Sequence, residues 1–158
     1  MNSKQLTRGA LIGALYIVLT LAVQPISSGL IQMRISEALC VLPYYTGAAV
    51  PGLFIGCLLS NLIMGAPVYD VIFGSLATLF AALSAYLMRK RDAGRYLIPL
   101  PSVLYNALIV GWLLNKVYAV GVSFPLCALY VGLGQALACY GLGMPLMALL
   151  DKYKEKLF

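Results

Sequence analysis

The chain has 158 residues, of which 62% are hydrophobic and only 10% are charged. A soluble domain is usually about half apolar and about a quarter charged, so this composition excludes an ordinary soluble domain and indicates an integral membrane protein. The net charge of +6 comes from residues bunched at the chain ends and in one short run, which is typical of membrane topology and not of a nucleic-acid-binding surface.

The first apolar segment, 6–23, predicts a membrane span that begins with a strip of small residues. Gly9 and Gly13 are four positions apart, as are Ala10 and Ala14, and residues four apart share one face of a helix. In lipid, such a smooth strip favours close approach of a second helix. The sequence leaves open whether that helix belongs to this chain or to another subunit. A signal peptide is the alternative for this segment, but no A-x-A-like cleavage site follows it.

The second and third spans, 35–48 and 51–64, come from one long apolar run after a predicted loop at 26–33. Pro51 and Gly52 divide the run, because proline disfavours helix at the residue before it. Each piece has about 14 residues and rises about 21 Å, less than the roughly 30 Å apolar core of a bilayer. We therefore expect one or both spans to be tilted, or to stop short of a membrane face where a cavity can open. One long proline-kinked helix is the alternative.

Three further spans are predicted at 71–88, 96–115 and 124–150, with Asp70 as N-cap of the first of them. The fold class is therefore an all-α integral membrane protein with six transmembrane helices in one domain, 1–158. With the N-terminus in the cytoplasm, nine of the eleven Lys and Arg residues lie inside and two lie outside. This excess predicts a multi-pass cell-membrane protein with both termini cytoplasmic. The two outside residues are Arg34 and Lys116.

Polar side chains inside the spans come from several helices and fall mostly in the outer half of the bilayer. Polar groups in lipid are costly unless they pair or face a cavity. A set at one depth therefore predicts a binding cavity that is open to the outside. The set comprises Arg34, Glu37, Asn61, Asp70, Tyr105, Asn106, Trp112, Asn115, Tyr130 and Gln135.

Glu37 is the acid placed inside an apolar helix, with Arg34 three residues before it. Positioning at the membrane interface accounts for Arg34 and explains Glu37 poorly. An Arg34–Glu37 ion pair within one helix is an alternative. Such a pair is compatible with a site, because an arginine can hold a binding carboxylate in its ionised form.

Several kinds of chemistry lack the residues they need. Histidine is absent, and no G-x-x-x-x-G-K-[ST] motif for nucleotide binding occurs. The four cysteines form no C-x-x-C motif, and each sits in apolar sequence as a small core residue would. We therefore expect no metal site, no cofactor and no enzymatic activity.

Three stretches resemble the QueT family: "RISEAL" (34–39), "SNLIMGAPVYDVIFGSLATL" (60–79) and "LYNALIVG" (104–111). Six short spans and the A-x-x-x-A of Ala10 and Ala14 also resemble the substrate-binding S components of energy-coupling factor (ECF) transporters, to which that family belongs. The resemblance implies uptake of a queuosine precursor, a 7-deazaguanine base such as preQ1, preQ0 or queuine. It also implies two ATPase subunits and a membrane coupling protein that binds the strip of small residues, Gly9, Ala10, Gly13 and Ala14.

The position of Glu37 in the helix and the resemblance to the QueT family both point to Glu37 as a ligand-binding residue. A guanine-like base presents adjacent N1–H and N2–H donors, and one carboxylate accepts both. On this interpretation Asn61 and Asn106 offer amide groups to the base, and Asp70 meets a cationic aminomethyl group. The side chains able to stack on the ring are Tyr45, Tyr105 and Trp112.

Two other functions remain open from the sequence. One is an S component for another vitamin-like ligand. The other, from a different class, is a structural or assembly subunit of the membrane that has no ligand of its own.

Overall fold

A computed structural model describes residues 2–23, 34–91 and 93–157, with side chains as far as residue 154. Every regular element in these ranges is a helix. Four are long and apolar enough to cross a membrane: α1 (Ser3–Ala22), α3 (Asp70–Lys90), α4 (Arg95–Val117) and α5 (Phe124–Lys154). Two shorter apolar helices lie between α1 and α3, a 3₁₀ helix (Ile35–Tyr44) and α2 (Ala49–Ile63).

The all-α class predicted from the sequence is confirmed for the described residues, and the helices lie close to the six predicted spans. By length, four of the six are full spans. The six-span count and the cytoplasmic placement of both termini stay predictions. The predicted loop at 26–33 lies outside the described residues.

Helix α1 begins where the side chain of Asn2 accepts a hydrogen bond from the Gln5 amide at 3.0 Å, a typical N-cap. Its buried residues recur every three or four positions and therefore form one face. They are Gly9, Ile12, Gly13, Tyr16 and Thr20. This face turns toward α2 and the 3₁₀ helix.

Helices α1 and α2 touch backbone to backbone. A Cβ atom built on Gly9 would lie 3.1 Å from the Ala48 carbonyl oxygen, and one on Gly13 would lie 3.0 Å from that of Gly52. A Cβ on Gly56 would lie 2.9 Å from the Gly13 carbonyl oxygen. Contacts advance together along both helices, so they run parallel. Glycine permits this approach because it has no side chain to hold the backbones apart.

The helix at Ile35–Tyr44 begins where the second span was predicted, at 35–48, and ends four residues earlier. It is a 3₁₀ helix of ten residues, although such helices seldom exceed three or four. Its side chains from Ser36 to Pro43 are all buried, so neighbours surround it on every side. At about 2.0 Å per residue, the ten residues of this helix span about 20 Å. We attribute the persistence of the 3₁₀ conformation over ten residues to the neighbours that surround the helix.

The two ends of the bundle differ in polarity. At one end, which we call the basic end, the Tyr45 hydroxyl donates to Asp151 at 2.6 Å and Arg95 pairs with Asp151 at 2.9 Å. Arg89 donates to the Tyr45 carbonyl at 2.8 Å. These contacts tie the last turn of the 3₁₀ helix to α3, α4 and α5.

The opposite end, which we call the Asp70 end, contains two turns wider than an α-helix. A π-helical turn opens α3 at Asp70–Gly74, and another closes α4 at Leu113–Val117. A third, Leu137–Leu142, interrupts α5 near its middle. Such turns often occur at functional sites because they redirect side chains that a regular helix would place elsewhere.

The outer surface of the bundle is apolar. Large aliphatic side chains are exposed on every long helix, among them Leu11, Leu15, Leu62, Leu83, Leu108, Leu129 and Leu133. Such a continuous apolar exterior belongs in lipid, because it would be a large exposed apolar patch in water. The chain is a multi-pass membrane protein.

Candidate functional site

A buried carboxylate lies at the centre of the bundle. Glu37 is only 3% exposed. The Tyr16 hydroxyl donates to its Oε1 at 2.5 Å, and the Ser102 hydroxyl donates to its Oε2 at 2.9 Å. Each oxygen therefore accepts one hydrogen bond. A buried carboxyl group without such partners would be strongly unfavourable.

Three separate elements position this carboxylate. Tyr16 lies on the buried face of α1, and Ser102 lies in the first turns of α4, just after Pro101. Glu37 itself is in the first turn of the 3₁₀ helix, whose start is fixed to α1 by a hydrogen bond between Thr20 and Ser36 at 2.7 Å. The hydrogen bonds of the carboxylate therefore depend on the relative positions of α1, the 3₁₀ helix and α4.

A small cavity adjoins Glu37. Its free volume is about 10 Å³, close to the space that one water molecule needs. The lining combines hydroxyl, carboxylate and thiol groups with small apolar side chains. It consists of Tyr16, Glu37, Cys40, Leu53, Thr78, Ala81, Ala82 and Ser102.

Next to this cavity, three donors surround one thiol. The sulfur of buried Cys57 lies 4.0 Å from Arg34 Nη1, 3.7 Å from Asn61 Nδ2 and 3.4 Å from Thr78 Oγ1. We call Arg34, Asn61 and Thr78 the donor cluster. Two of their buried polar atoms, Arg34 Nε and Asn61 Oδ1, have no hydrogen-bond partner in the described part of the chain.

The Arg34–Glu37 ion pair considered from the sequence is not formed. Among the described side chains, those of residues 2–23, 34–91 and 93–154, the ion pair found is Arg95–Asp151 at the basic end. Arg34 has extended backbone angles, φ −101° and ψ 115°, because it precedes the 3₁₀ helix instead of lying within it. The two residues therefore do not share a helix face, and hydroxyl groups hold the carboxylate.

At the Asp70 end of the bundle, the Tyr118 hydroxyl donates a hydrogen bond to Asp70 Oδ2 at 2.9 Å. Burial and this hydrogen bond raise the pKa of Tyr118 to about 12. The phenol therefore stays protonated and keeps donating across the physiological range. Asn61 Nδ2 also reaches the Asp70 carbonyl at 3.3 Å, which connects this end to the donor cluster.

Two further predicted residues, Asn106 and Tyr105, lie on α4. Asn106 is buried, and its amide donates to the Ser102 carbonyl one turn earlier at 2.9 Å. Tyr105 is half-buried, with its hydroxyl 3.5 Å from Ser84 Oγ and its ring 5.9 Å from that of Phe80. Asn106 is thus one turn from a residue that binds Glu37, while Tyr105 packs against α3.

Two other predicted residues lie elsewhere in the fold. Tyr45 is at the basic end, where its hydroxyl bonds Asp151 and the Met147 carbonyl. Trp112 is 44% exposed on the outer surface, with its ring edge against Phe73 at 6.2 Å. Neither of them lines the cavity at Glu37.

Four residues at the centre were missed from the sequence: Tyr16, Cys57, Thr78 and Ser102. Tyr16 continues the buried face of α1 begun by Gly9 and Gly13, a spacing that the sequence displays. The hydroxyls of Thr78 and Ser102 give no such signal, because serine and threonine are common in membrane helices that pack closely. Only the fold shows that they converge on Glu37 and Cys57.

The strip of small residues on α1 divides into two columns. Gly9 and Gly13 are buried against α2, whereas Ala10 and Ala14 are exposed. Between α1 and α2 runs an open groove of about 330 Å³ whose lining is almost wholly apolar. It is lined by Leu6, Gly9, Ala10, Gly13, Ala14, Ile17, Pro51, Gly52, Ile55, Gly56 and Leu59.

Comparison with known proteins identifies the family of the chain. The family model described as QueT transporter matches residues 6–152. The chain belongs to the QueT transporter family. It is also 38% identical over 84 residues to a protein of Lactococcus lactis subsp. cremoris (strain MG1363) named Queuosine precursor transporter QueT. That match covers 51% of this chain and 49% of the relative, so it spans about half the length of each. No solved structure matches.

Proposed function

We propose that this chain captures a queuosine precursor, a 7-deazaguanine base, at Glu37 for import across the membrane. The observation that carries the proposal is the buried Glu37 carboxylate, held by two hydroxyls from different helices in a chain of the QueT transporter family. The relative's name, Queuosine precursor transporter, supplies the substrate class.

The chemistry of the carboxylate suits such a base. The N1–H and N2–H groups of a guanine-like ring point the same way, and a carboxylate accepts both through charge-assisted hydrogen bonds. Tyr16 and Ser102 each occupy one lone pair of Glu37 and leave further acceptor sites on both oxygens. The two hydroxyls therefore orient the carboxylate without consuming its capacity to bind a ligand.

Binding requires the surrounding helices to separate, because ligand pockets usually enclose about 300–1,000 Å³ and the cavity at Glu37 has about 10 Å³. Asn61 and Asn106, both buried, take part through their amide groups once the centre opens, and Tyr105 takes part by stacking if its ring turns away from Phe80. Asp70 is the acid available to a cationic aminomethyl group, in exchange for its contact with Tyr118.

The transport role we propose is that of an S component in an ECF transporter. The ligand enters from outside, with both termini of the chain in the cytoplasm. A coupling membrane protein binds the groove between α1 and α2 at Ala10 and Ala14, and two ATPase subunits drive the transport. The exposure of these two alanines beside an open apolar groove supports this surface, since small residues allow close helix contact in lipid.

The test is a calorimetric panel on the purified chain with preQ0, preQ1, queuine and guanine, and with riboflavin as a control vitamin. We expect saturable binding of at least one deazaguanine and none of riboflavin. Binding of riboflavin or another vitamin alone would indicate a different S component. No binding by a folded sample would instead favour a structural subunit.

A further inference from the structure

The donor cluster of Arg34, Asn61 and Thr78 contains more hydrogen-bond donors than the acceptors around it satisfy, and the unused donor is in Arg34. All three side chains lie within 3.4 to 4.0 Å of the sulfur of Cys57. Thr78 Oγ1 also donates to the Gly74 carbonyl at 3.1 Å, and Asn61 Nδ2 donates to the Asp70 carbonyl at 3.3 Å. A thiol is a weak acceptor, whereas a guanidinium alone brings five N–H donors. The buried Arg34 Nε has no partner at all in the part of the chain that the structure describes.

Such an arrangement is unfavourable unless something else uses it. A buried donor without a partner costs about 1–3 kcal/mol, and more if it is charged. Buried polar groups in folded proteins are nearly always paired, so each exception needs an explanation. Asn61 is fully buried and its Oδ1, an acceptor, is also unpartnered, so the cluster holds an unused acceptor as well as the unused donor of the arginine.

The donor cluster is continuous with the carboxylate site. Thr78 lines the same small cavity as Glu37, and Arg34 lies three residues before Glu37 at the start of the 3₁₀ helix. The centre of the bundle therefore has an acceptor side, the Glu37 carboxylate, and a donor side next to it.

We propose that the donor cluster binds the carbonyl oxygen of the ligand and so determines which bases are accepted. This inference rests on the proposed function. A guanine-like ring carries its carbonyl directly beside N1–H, so the group that meets the donor cluster adjoins the groups that meet Glu37. An adenine-like ring carries an amine in place of this carbonyl, so its N–H donors would face the donors of the cluster. Sites built to hydrogen-bond one group reject analogues that lack it, because their own buried groups are left unpaired.

The test compares two ligands on several variants. The pair is 7-deazaguanine and its 6-thio counterpart, which keeps N1–H and N2–H but replaces the oxygen by a weaker acceptor. We expect the unmodified protein to prefer the oxygen ligand about 10-fold or more. Thr78→Val should weaken the oxygen ligand about 10-fold and the sulfur ligand far less, so that the preference shrinks.

Arg34→Gln is the second variant, should Thr78→Val fold poorly, and it should shrink the preference in the same direction. Thr46→Val is the matched control, because Thr46 is buried but lies outside the cavity at Glu37. It should leave the preference unchanged. If Thr78→Val and Arg34→Gln weaken both ligands equally, the donor cluster is structural and the inference is wrong. Failure of the unmodified protein to bind either ligand would instead overturn the proposed function, and this inference with it.

Discussion

The Tyr16 hydroxyl donates a hydrogen bond to Glu37 Oε1 at 2.5 Å and so joins α1 to the buried 3₁₀ helix. The same helix α1 presents Ala10 and Ala14 on its exposed side. The residue that orients the carboxylate and the surface proposed for the coupling protein are therefore on one rigid element. A displacement of α1 in the transporter complex would remove a donor from Glu37 and weaken its hold on a ligand.

Replacing Tyr16 by phenylalanine should weaken ligand binding while keeping the packing of the ring. Tyr16→Phe leaves Oε1 of a buried carboxylate without its donor, so the carboxylate is less well oriented. We expect deazaguanine affinity to fall about 10-fold, measured by calorimetry, because hydrogen bonds to charged groups contribute about 1.5–3 kcal/mol.

The control for Tyr16→Phe is Tyr86→Phe, since Tyr86 is half-buried on α3 and lies outside the cavity at Glu37. It should bind like the unmodified protein. Equal losses in the two variants would show that the effect is general destabilisation.

The contact between α1 and α2 should be intolerant of a single methyl group. A Cβ on Gly52 would lie 2.6 Å from the Gly9 carbonyl oxygen, so Gly52→Ala must push the helices apart. We expect a loss of stability of about 1–3 kcal/mol, seen as a lower unfolding temperature in detergent. Gly141→Ala is the control, since a Cβ there meets nothing within 4 Å. Unchanged unfolding of Gly52→Ala would mean that the helices are less closely packed than described.

Much of the fold could be predicted from the sequence because it follows from local rules. Apolar runs of span length mark the helices, and Pro51 with Gly52 marks the division near the start of α2. The four-residue spacing of Gly9 and Gly13 predicts close helix contact, and the structure assigns that contact to α2 of the same chain. Glu37 could be singled out because an acid inside an apolar helix is costly without a partner.

The partners of Glu37 could not be predicted, because they depend on packing between distant segments. Ser102 is 65 positions from Glu37, and nothing in its local sequence distinguishes it from other membrane serines. The Arg34–Glu37 pair was an interpretation from spacing alone, and it failed because Arg34 lies before the helix begins. The ten-residue 3₁₀ helix likewise could not be predicted, because such helices seldom exceed three or four residues.

The groove on α1 should serve another subunit and not the ligand. Ala10→Leu or Ala14→Leu adds bulk to exposed positions where close helix contact is proposed. Uptake of a radiolabelled precursor by cells should fall at least several-fold, while the purified chain keeps its affinity.

Ala22→Leu is the matched control, because Ala22 is exposed at the end of α1 and outside the groove. It should leave both uptake and binding unchanged. If binding and uptake fall together in the Ala10 and Ala14 variants, the partner surface lies elsewhere.

The orientation predicted from the basic residues can be tested with single cysteines. Ala93→Cys lies in the basic loop after α3, and Ser123→Cys lies just before α5. An impermeant thiol reagent on intact cells should label the cysteine at 123 and spare the one at 93. The four native cysteines are buried and provide a low background. Labelling in the opposite sense would invert the topology and place the Asp70 end inside.

The most direct test of the account is a calorimetric titration of Glu37→Gln with a deazaguanine. Glutamine keeps the size of the side chain, and the Ser102 hydroxyl can turn to accept from the new amide, so the fold should survive. At one of the two ligand contacts, the new amide N–H then faces an N–H group of the base, so two donors oppose each other. We expect a loss of about 2–4 kcal/mol, roughly 30- to 1,000-fold in affinity, and a smaller loss for Arg34→Ala. Near-unmodified affinity in a folded Glu37→Gln protein would contradict the account and leave Glu37 as a purely structural carboxylate.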